Sequence, residues 1–518
     1  MHKNPSNLCL LAALFITWAV STDLRGSSIS EHQAMAQEIY AKLQEAVGDK
    51  KSVWPKLIVW SVENRGAVFV PADNSIYLDE KVIKSCVAFG DQMKDALSFV
   101  IAHEMTHFYQ NHQWKESGLV RNFMVSSAVF EANRHHEAQA DIYGAFVSYQ
   151  AGFNTLALIP DLLDRIYASY GLDSAANGQY PSLETRKDLA LEACDLASNL
   201  IEIYQTANYL LVLGKFESAY PLYKHVAQSI QFKELHYNLG LCNMMAYMHL
   251  QKMDLKYPLA LDSRSPIQRG LIDRSPQLLL DDAKESFDLI TEQYDAQYSP
   301  AKIHLISIYD WLGEQHKAEA LISLCAADPE INQNHIYRIT EANYYARQGQ
   351  LVKSRDIYQS LLGEQMPDSN YIREIINHNL ASAQNRKPPA SAMRSQLIRN
   401  EKDLDDVSSL VFYRDFQQTL HIGSGLQFQY AHEYNSSVSK LDFGKVKFSM
   451  QRITHASIKS SHGLGIGNSL GEIENRIGNI DLAYARHVNG MYVINYNQGL
   501  IFKLNPNGII EEWVSFSI

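Results

Sequence analysis

Thiols are scarce and scattered in this sequence. Its 518 residues include five cysteines, Cys9, Cys86, Cys194, Cys242 and Cys325, with no two close together. That excludes a CxxC metal knuckle or redox pair and argues against a disulfide framework. Basic charge is also short. Lys and Arg number 46 against 57 Asp and Glu, for a formal net charge of −11, and no long basic run occurs. The phosphate-binding face that a nucleic-acid protein needs is therefore missing. With 26 glycines and 15 prolines, the chain is neither collagen-like nor low-complexity. Beyond the N-terminus no apolar run approaches the ~20 residues that a spanning helix requires. The one apolar run, Leu8 to Val20, follows Lys3 and ends in Ala19-Val20-Ser21, with small residues at the −3 and −1 positions of a cleavage site. Residues 1–21 read as a signal peptide, which predicts a mature chain without a transmembrane helix, periplasmic or secreted.

The length predicts three or four domains. Residues 30–196 mix strands and helices. Lys56–Val62, Ala67–Val70 and Ser75–Leu78 are short β-branched or aromatic runs parted by turn residues, and they predict a small antiparallel meander. Asp91 is placed to cap a helix in which Met93, Ala96, Leu97, Val100 and Ile101 recur at helical spacing, running to about Gln113. A second long helix is expected over about Val125 to Gln150, stopping near Gly152.

Residues 197–386 look helical and repetitive. One phrase appears as Gly214…Ala219…Tyr223, as Gly313…Ala318…Ile322 and as Gly349…Ser354…Tyr358. The spacing suits the ~34-residue period of tetratricopeptide-like repeats. The glycine closes a turn, the small residue lets two helices approach, and the bulky residue fills the gap to the next pair. Leu235–Leu250 and a helix carrying Ala283 and Phe287 would form an intervening pair, with 251–277 inserted as a loop bearing Arg-Ser-Pro twice. Lys387-Pro388-Pro389 breaks the last helix. Residues 396–518 then turn to strand-like alternation, as in Leu426–Tyr430, Lys445–Phe448, Met491–Asn495, Leu500–Leu504 and Glu512–Phe516. Within them Ser469-x-x-Glu472 predicts a capping box opening a short helix that ends at Gly478. Gly463-Leu-Gly-Ile-Gly467 lacks the GxGxxG spacing of a dinucleotide loop.

The chemistry centres on Val100-Ile-Ala-His103-Glu104-Met-Thr-His107. HExxH on a helix sets two imidazoles one turn apart on one face, where both reach one metal ion. Glu104, next to the first His, faces a water instead of serving as a ligand. About 0.04 such matches are expected by chance in a chain of this composition, so context has to decide. Downstream, Glu137-Ala-Gln-Ala-Asp141 puts two carboxylates at i and i+4 on one helix face. Glu137 as third ligand and Asp141 as the group orienting an imidazole complete a catalytic zinc site with an open fourth position. His135 and His136 are rival ligands. His112 is another, although a metzincin would need HExxHxxGxxH, and here Gln110 replaces the glycine while His112 falls one residue early. Strands before the motif would supply the edge on which a peptidase holds its substrate.

HExxH followed by ExxAD on a second helix resembles the gluzincin zinc peptidases of the HtpX, BepA and CaaX prenyl protease group. The similarity spans about residues 55–195. Gly66-Ala67-Val68-Phe69-Val70-Pro71 is similar to that family's Asn-Ala-Phe-x-x-Pro edge strand, with Gly in place of Asn. Tyr180-Pro181-Ser-Leu-Glu-Thr-Arg186 keeps the spacing of its His-Pro-x4-Arg segment, with Tyr in place of His. The resemblance implies a multidomain α+β protein: a gluzincin-type metallopeptidase domain, an α-solenoid and a strand-rich C-terminal α+β domain. It implies one catalytic Zn2+ on His103, His107 and Glu137, with Asp141 behind His103 and Glu104 as general base. Arg186 and Tyr180 would steady the oxyanion, and Ala67, Val68 and Phe69 would form the substrate edge strand. The expected activity is endopeptidase action on envelope or exported polypeptides, with substrate or a protein assembly docked by the repeats. The alternative is a chaperone-like scaffold whose site is latent and gated by Tyr180.

Overall fold

The computed structural model describes residues 31–60, 66–110, 127–172, 182–250, 257, 259, 274–364, 369–386, 418–422, 426–433, 436–443, 446–478, 482–487 and 490–517. The signal-peptide segment, His112, Tyr180, the first Arg-Ser-Pro and Lys387-Pro388-Pro389 lie outside them. The protein is a multidomain α+β chain, rich in helices, with a C-terminal antiparallel sheet. It divides into two compact units between Ile201 and Glu202. That boundary falls a few residues past the one read from the sequence. The helical repeats and the strand-rich segment, expected as separate domains, belong to one unit.

In the first unit, helix α1 (31–47) leads into β1 (Lys56–Trp60), β2 (Ala67–Val70) and β3 (Ser75–Asp79). These strands are not the antiparallel meander that the sequence suggested. Their order is β1-β3-β2, with β1 parallel to β3 and β2 antiparallel to it. The reason lies in how each edge is satisfied. β2 and β3 form a hairpin through a turn in which the Asn74 N–H donates to Pro71 O and Asn74 takes a φ of 48°. β1 then adds to the free side of β3. Its own outer edge is closed by α1, because Gln33 and Gln37 each donate to Leu57 O at 2.9 Å and the Val59 N–H donates to Gln33 Oε1 at 2.6 Å. Glutamine side chains thus replace a fourth strand and leave β2 as the second edge.

Helix α2 (Glu80–Val87) follows, capped by Asp79, and a 3-10 turn at Gly90–Gln92 leads into α3 (Met93–Tyr109). Asp91 does not cap α3. It sits inside the 3-10 turn, and α3 begins at Met93 with no side-chain cap. The helix ends at Tyr109, short of the expected Gln113. Helix α4 (Ser127–Gln150) stops at Gly152, whose φ is 87°, and runs antiparallel to α3. Glu137 lies beside His107, and the Asn154 N–H reaches Asp95 Oδ1. Helices α5 (Ile159–Tyr170) and α6 (Leu183–Val212) complete the unit, and α6 runs across the division.

The second unit continues from Glu202 along α6 into α7 (Phe216–Ala227), α8 (Lys233–Leu250), α9 (Pro276–Leu289), α10 (Ser299–Trp311), α11 (Gln315–Ala327), the short α12 (Pro329–Asn332), α13 (His335–Arg347), α14 (Leu351–Leu362) and α15 (Ser369–Ala383). Gly214, Gly313 and Gly349 close turns with φ of 71°, 75° and 76°. Ala219, Ala318 and Ser354 are fully buried. A polar pair recurs on the same frame. The Tyr223 OH donates to Asn208 Oδ1, and the Tyr358 OH to Asn343 Oδ1. At the intervening turn the matching positions are Ser307 and Ile322, so the phenol and its amide acceptor are replaced together. At the α8–α9 pair, a Cβ on Gly240 would lie 2.7 Å from the Phe287 ring, so only glycine admits that ring.

The same unit holds an eight-stranded antiparallel sheet of β4 (Gln418–Ile422), β5 (Leu426–Glu433), β6 (Ser436–Phe443), β7 (Val446–Ile453), β8 (Ala483–His487), β9 (Gly490–Asn495), β10 (Leu500–Leu504) and β11 (Ile510–Ser517). Its order is β4-β5-β6-β7-β11-β10-β9-β8. Helix α16 (Leu470–Ile477) opens with the full Ser469–Glu472 capping box and lays Ile473 on Phe502, Trp513 and Leu504. Arg452 on β7 is buried between Glu202 of α6 at 2.5 Å and Glu512 of β11 at 2.9 Å. Tyr209 of α6 also donates to Glu512. This buried charge cluster ties sheet to helices and accounts for their forming one unit.

Candidate metal centre

Helix α3 is almost entirely buried from Ala96 to His107, so its polar triplet His103, Glu104 and His107 faces protein on every side. Burying polar groups is costly unless each finds a partner, and here the partners of the two histidines come from α4. His103 Nε2 lies 3.2 Å from His107 Nε2 and 3.5 Å from Glu137 Oε2, and His107 Nε2 lies 3.8 Å from Glu137 Oε1. Ligands about 2.05 Å from a tetrahedrally bound ion stand about 3.3 Å apart. The separations are close to that spacing, and the three residues form a buried group that can hold a metal ion. Two imidazole nitrogens and one carboxylate oxygen are also a donor set that suits zinc.

Behind the donors lies a buried relay. His103 Nδ1 donates to Asp141 Oδ1 at 2.8 Å, which turns the Nε2 lone pair toward His107 and Glu137. Asp141 in turn accepts two bonds from Arg186, Nη1 to Oδ2 at 2.6 Å and Nη2 to Oδ1 at 2.9 Å. Burial disfavours the imidazolium, but the Asp141 and Glu137 carboxylates outweigh it and lift His103 to about 10. Burial likewise raises Asp141, and the Arg186 and His103 charges overcome it, holding Asp141 at about 2. Without a metal, Arg186, Asp141 and a protonated His103 therefore form an ion chain, with Glu137 beside Nε2 of His103. A bound metal ion would take the place of the His103 proton.

Two features were not legible beforehand. The Phe69 N–H of β2 donates to Glu104 Oε2 at 2.7 Å, which joins the HExxH glutamate to the edge strand. Gly144 of α4 lies against α3, and a Cβ there would sit 3.0 Å from His103 N, 3.2 Å from His103 Cα and 3.3 Å from Ala102 C. A sequence signal for Gly144 exists. Glu137, Asp141 and Gly144 are i, i+4 and i+7, one stripe of a helix.

The other expected residues are placed as follows. Ala67, Val68 and Phe69 form β2, which is an edge of its sheet. Arg186, expected to face substrate, is only 2% exposed, and its guanidinium is engaged by Asp141 on the side of His103 away from the ligand group. A carboxylate held at about 2 needs a permanent cation, and Arg186 supplies it, so this residue is an ion-pair partner. His135 is exposed and His136 half-buried, and neither joins the ligand group. Cys86 is fully buried, with its thiol pushed up by desolvation. Burial also lifts Cys194 to about 12. Among the described residues no helix is long and apolar enough to cross a membrane. The sequence matches no family model and no curated protein.

Proposed function

We propose that this chain is a zinc-dependent endopeptidase of gluzincin type, secreted or periplasmic, acting on envelope or exported polypeptides. The observation that carries the reading is the convergence of Glu137 on His103 and His107 at separations that fit one tetrahedral ion, with Glu104 and a sheet edge beside them. Zinc, when bound, supplies Lewis acidity toward the scissile carbonyl and toward water.

The chain's own residues do the rest. Asp141, anchored by Arg186, holds Nδ1 of His103 and so directs its Nε2 toward His107 and Glu137, where a metal ion would take the place of its proton. Glu104 takes a proton from the attacking water and delivers it to the leaving amine. The outer side of β2 receives the substrate main chain as an added strand. Tyr180 is assigned as oxyanion donor from its place in the sequence. The helical array, read as tetratricopeptide-like, docks substrate or a partner assembly. Glu104→Gln should retain one zinc per chain and abolish cleavage of an unfolded protein substrate. Unchanged cleavage overturns the mechanism, and the absence of stoichiometric zinc in the wild type overturns the metal centre.

A further inference from the structure

The hydrogen bonding of β2 is fixed by one bond. Asp79 N–H donates to Gly66 O at 2.9 Å, which makes Gly66 and Asp79 a hydrogen-bonded pair of the β2–β3 ladder. Antiparallel ladders alternate, so Val68 and Val70 also turn their main-chain groups toward β3. Ala67 and Phe69 therefore turn theirs outward, to the side where a further strand would add. Of those outward groups, the Phe69 amide is on Glu104 Oε2 at 2.7 Å.

We propose that the Phe69 main-chain N–H is a positioning group for Glu104, fixing the general base to the substrate-binding edge so that strand and base move as one body. Three observations support this. The bond is short, and Glu104 is 1% exposed, so water does not compete for it. A glutamate has three side-chain torsions, and a bond to a rigid amide removes that freedom before substrate arrives. The strand itself is held firmly. Its far neighbour β3 is central, Tyr170 donates to Asp79 Oδ2 at 2.8 Å next to the Gly66 pair, and the Phe69 ring packs edge-on against Phe108 at 5.8 Å. One consequence concerns register. A docked peptide meets the Ala67 N–H, the Ala67 C=O and the Phe69 C=O, but not the Phe69 N–H. Substrate alignment is thereby measured from the atom that holds the base.

The consequence for turnover rests on the peptidase reading, whereas the bond itself does not, and the experiment separates the two. Full-length protein labelled with 15N-phenylalanine reports the Phe69 amide directly. In Glu104→Ala that amide should exchange with solvent at least about tenfold faster than in wild type, whereas Glu104→Gln, whose side-chain oxygen still accepts, should keep most of the protection. In parallel, Phe69→Ala loses the ring and keeps the N–H, while Phe69→Pro loses both. Proline is tolerated at an edge position whose N–H points away from the ladder. Phe69→Ala is the reference for loss of the ring, so the effect of losing the N–H is read as the ratio of Phe69→Pro to Phe69→Ala. Phe69→Pro should lower kcat by about 10- to 100-fold with KM and zinc content nearly unchanged, a split that a loosened fold would not produce. The proposal is overturned if Phe69 exchange is the same in Glu104→Ala and wild type, or if Phe69→Pro turns over as fast as Phe69→Ala. A wild type that binds zinc but cleaves nothing would refute the function and leave the exchange result to decide this point.

Discussion

Gly144→Ala is the smallest change that should disturb the metal centre without touching a ligand. The new Cβ would lie 3.0 to 3.3 Å from three atoms, His103 N, His103 Cα and Ala102 C, and all of them belong to the α3 main chain. No rotamer can relieve that contact, so α3 and α4 must part by about 0.4 Å to reach ordinary van der Waals distance. Asp141 and Glu137 lie one and two turns along the same stripe and would move with α4. Metal–ligand distances tolerate only about 0.2 Å of error, so the opening exceeds what the centre can absorb. Two terms act on stability. Removing a mid-helix glycine gains about 0.8–1 kcal/mol, and overpacking costs about 1–3 kcal/mol. The metal-free protein should thus lose between nothing and about 2 kcal/mol. Zinc affinity should fall about tenfold or more, because strain the apo protein can relax must be paid again when the ligands close. Chelator-competition titration reads the affinity, and urea unfolding of the metal-free chain reads the stability. Gly471→Ala in α16 is the control, since a Cβ there meets nothing within 4 Å. The reasoning is refuted if Gly144→Ala binds zinc within about twofold of wild type.

Three further outcomes follow from the ion chain. Asp141→Asn leaves Arg186 as a buried cation without its carboxylate and should destabilise the protein by about 3–5 kcal/mol in urea unfolding, with Asp141→Asn/Arg186→Met recovering a large part. In wild type, Asp141 is held at about 2, below the ordinary carboxylate value, so its stabilisation is present above that ordinary value and lost as pH falls through about 2. It amounts to about 2.5 kcal/mol, and acid-unfolding curves of wild type and Asp141→Asn should converge there. His103 is raised to about 10, so across pH 6.5 to 9 the metal-free centre holds a proton that zinc must displace. Apparent zinc affinity, corrected for the chelator, should rise about tenfold per pH unit in that window, and a flat profile would contradict the ion chain.

How far the sequence exposes this architecture depends on whether the cause is local. The capping box at Ser469 and Glu472 and the turns at Gly214, Gly313 and Gly349 are set by a few neighbouring residues, and all are readable in the chain. The two stripes, His103–His107 and Glu137–Asp141, are local as well, because each is one turn of a helix. Strand β6 is harder to read: its sequence is SSVSKLDF, and alongside Leu441 it turns Ser437 and Ser439 into buried positions. The cap expected from Asp91 fails for a different reason. Asp91 has the right chemistry for a cap, but the intervening 3-10 turn moves the start of α3 past it.

The order of the small sheet and the role of Arg186 lie beyond local pattern altogether. Three short strands in succession look like a meander unless it is known that Gln33 and Gln37, some twenty residues upstream, already satisfy the edge of β1. Once that edge is closed from α1, β2 is left as the other edge, and its outward amide at Phe69 meets Glu104 on α3. Arg186 illustrates the same point from the other direction. Its spacing suggested a group reaching for substrate, yet a buried carboxylate that orients a metal-ligating imidazole must itself be balanced by a cation. Asp141 and Arg186 are therefore one choice made in two places, α4 and α6, and only the packing of those helices shows which arginine is taken.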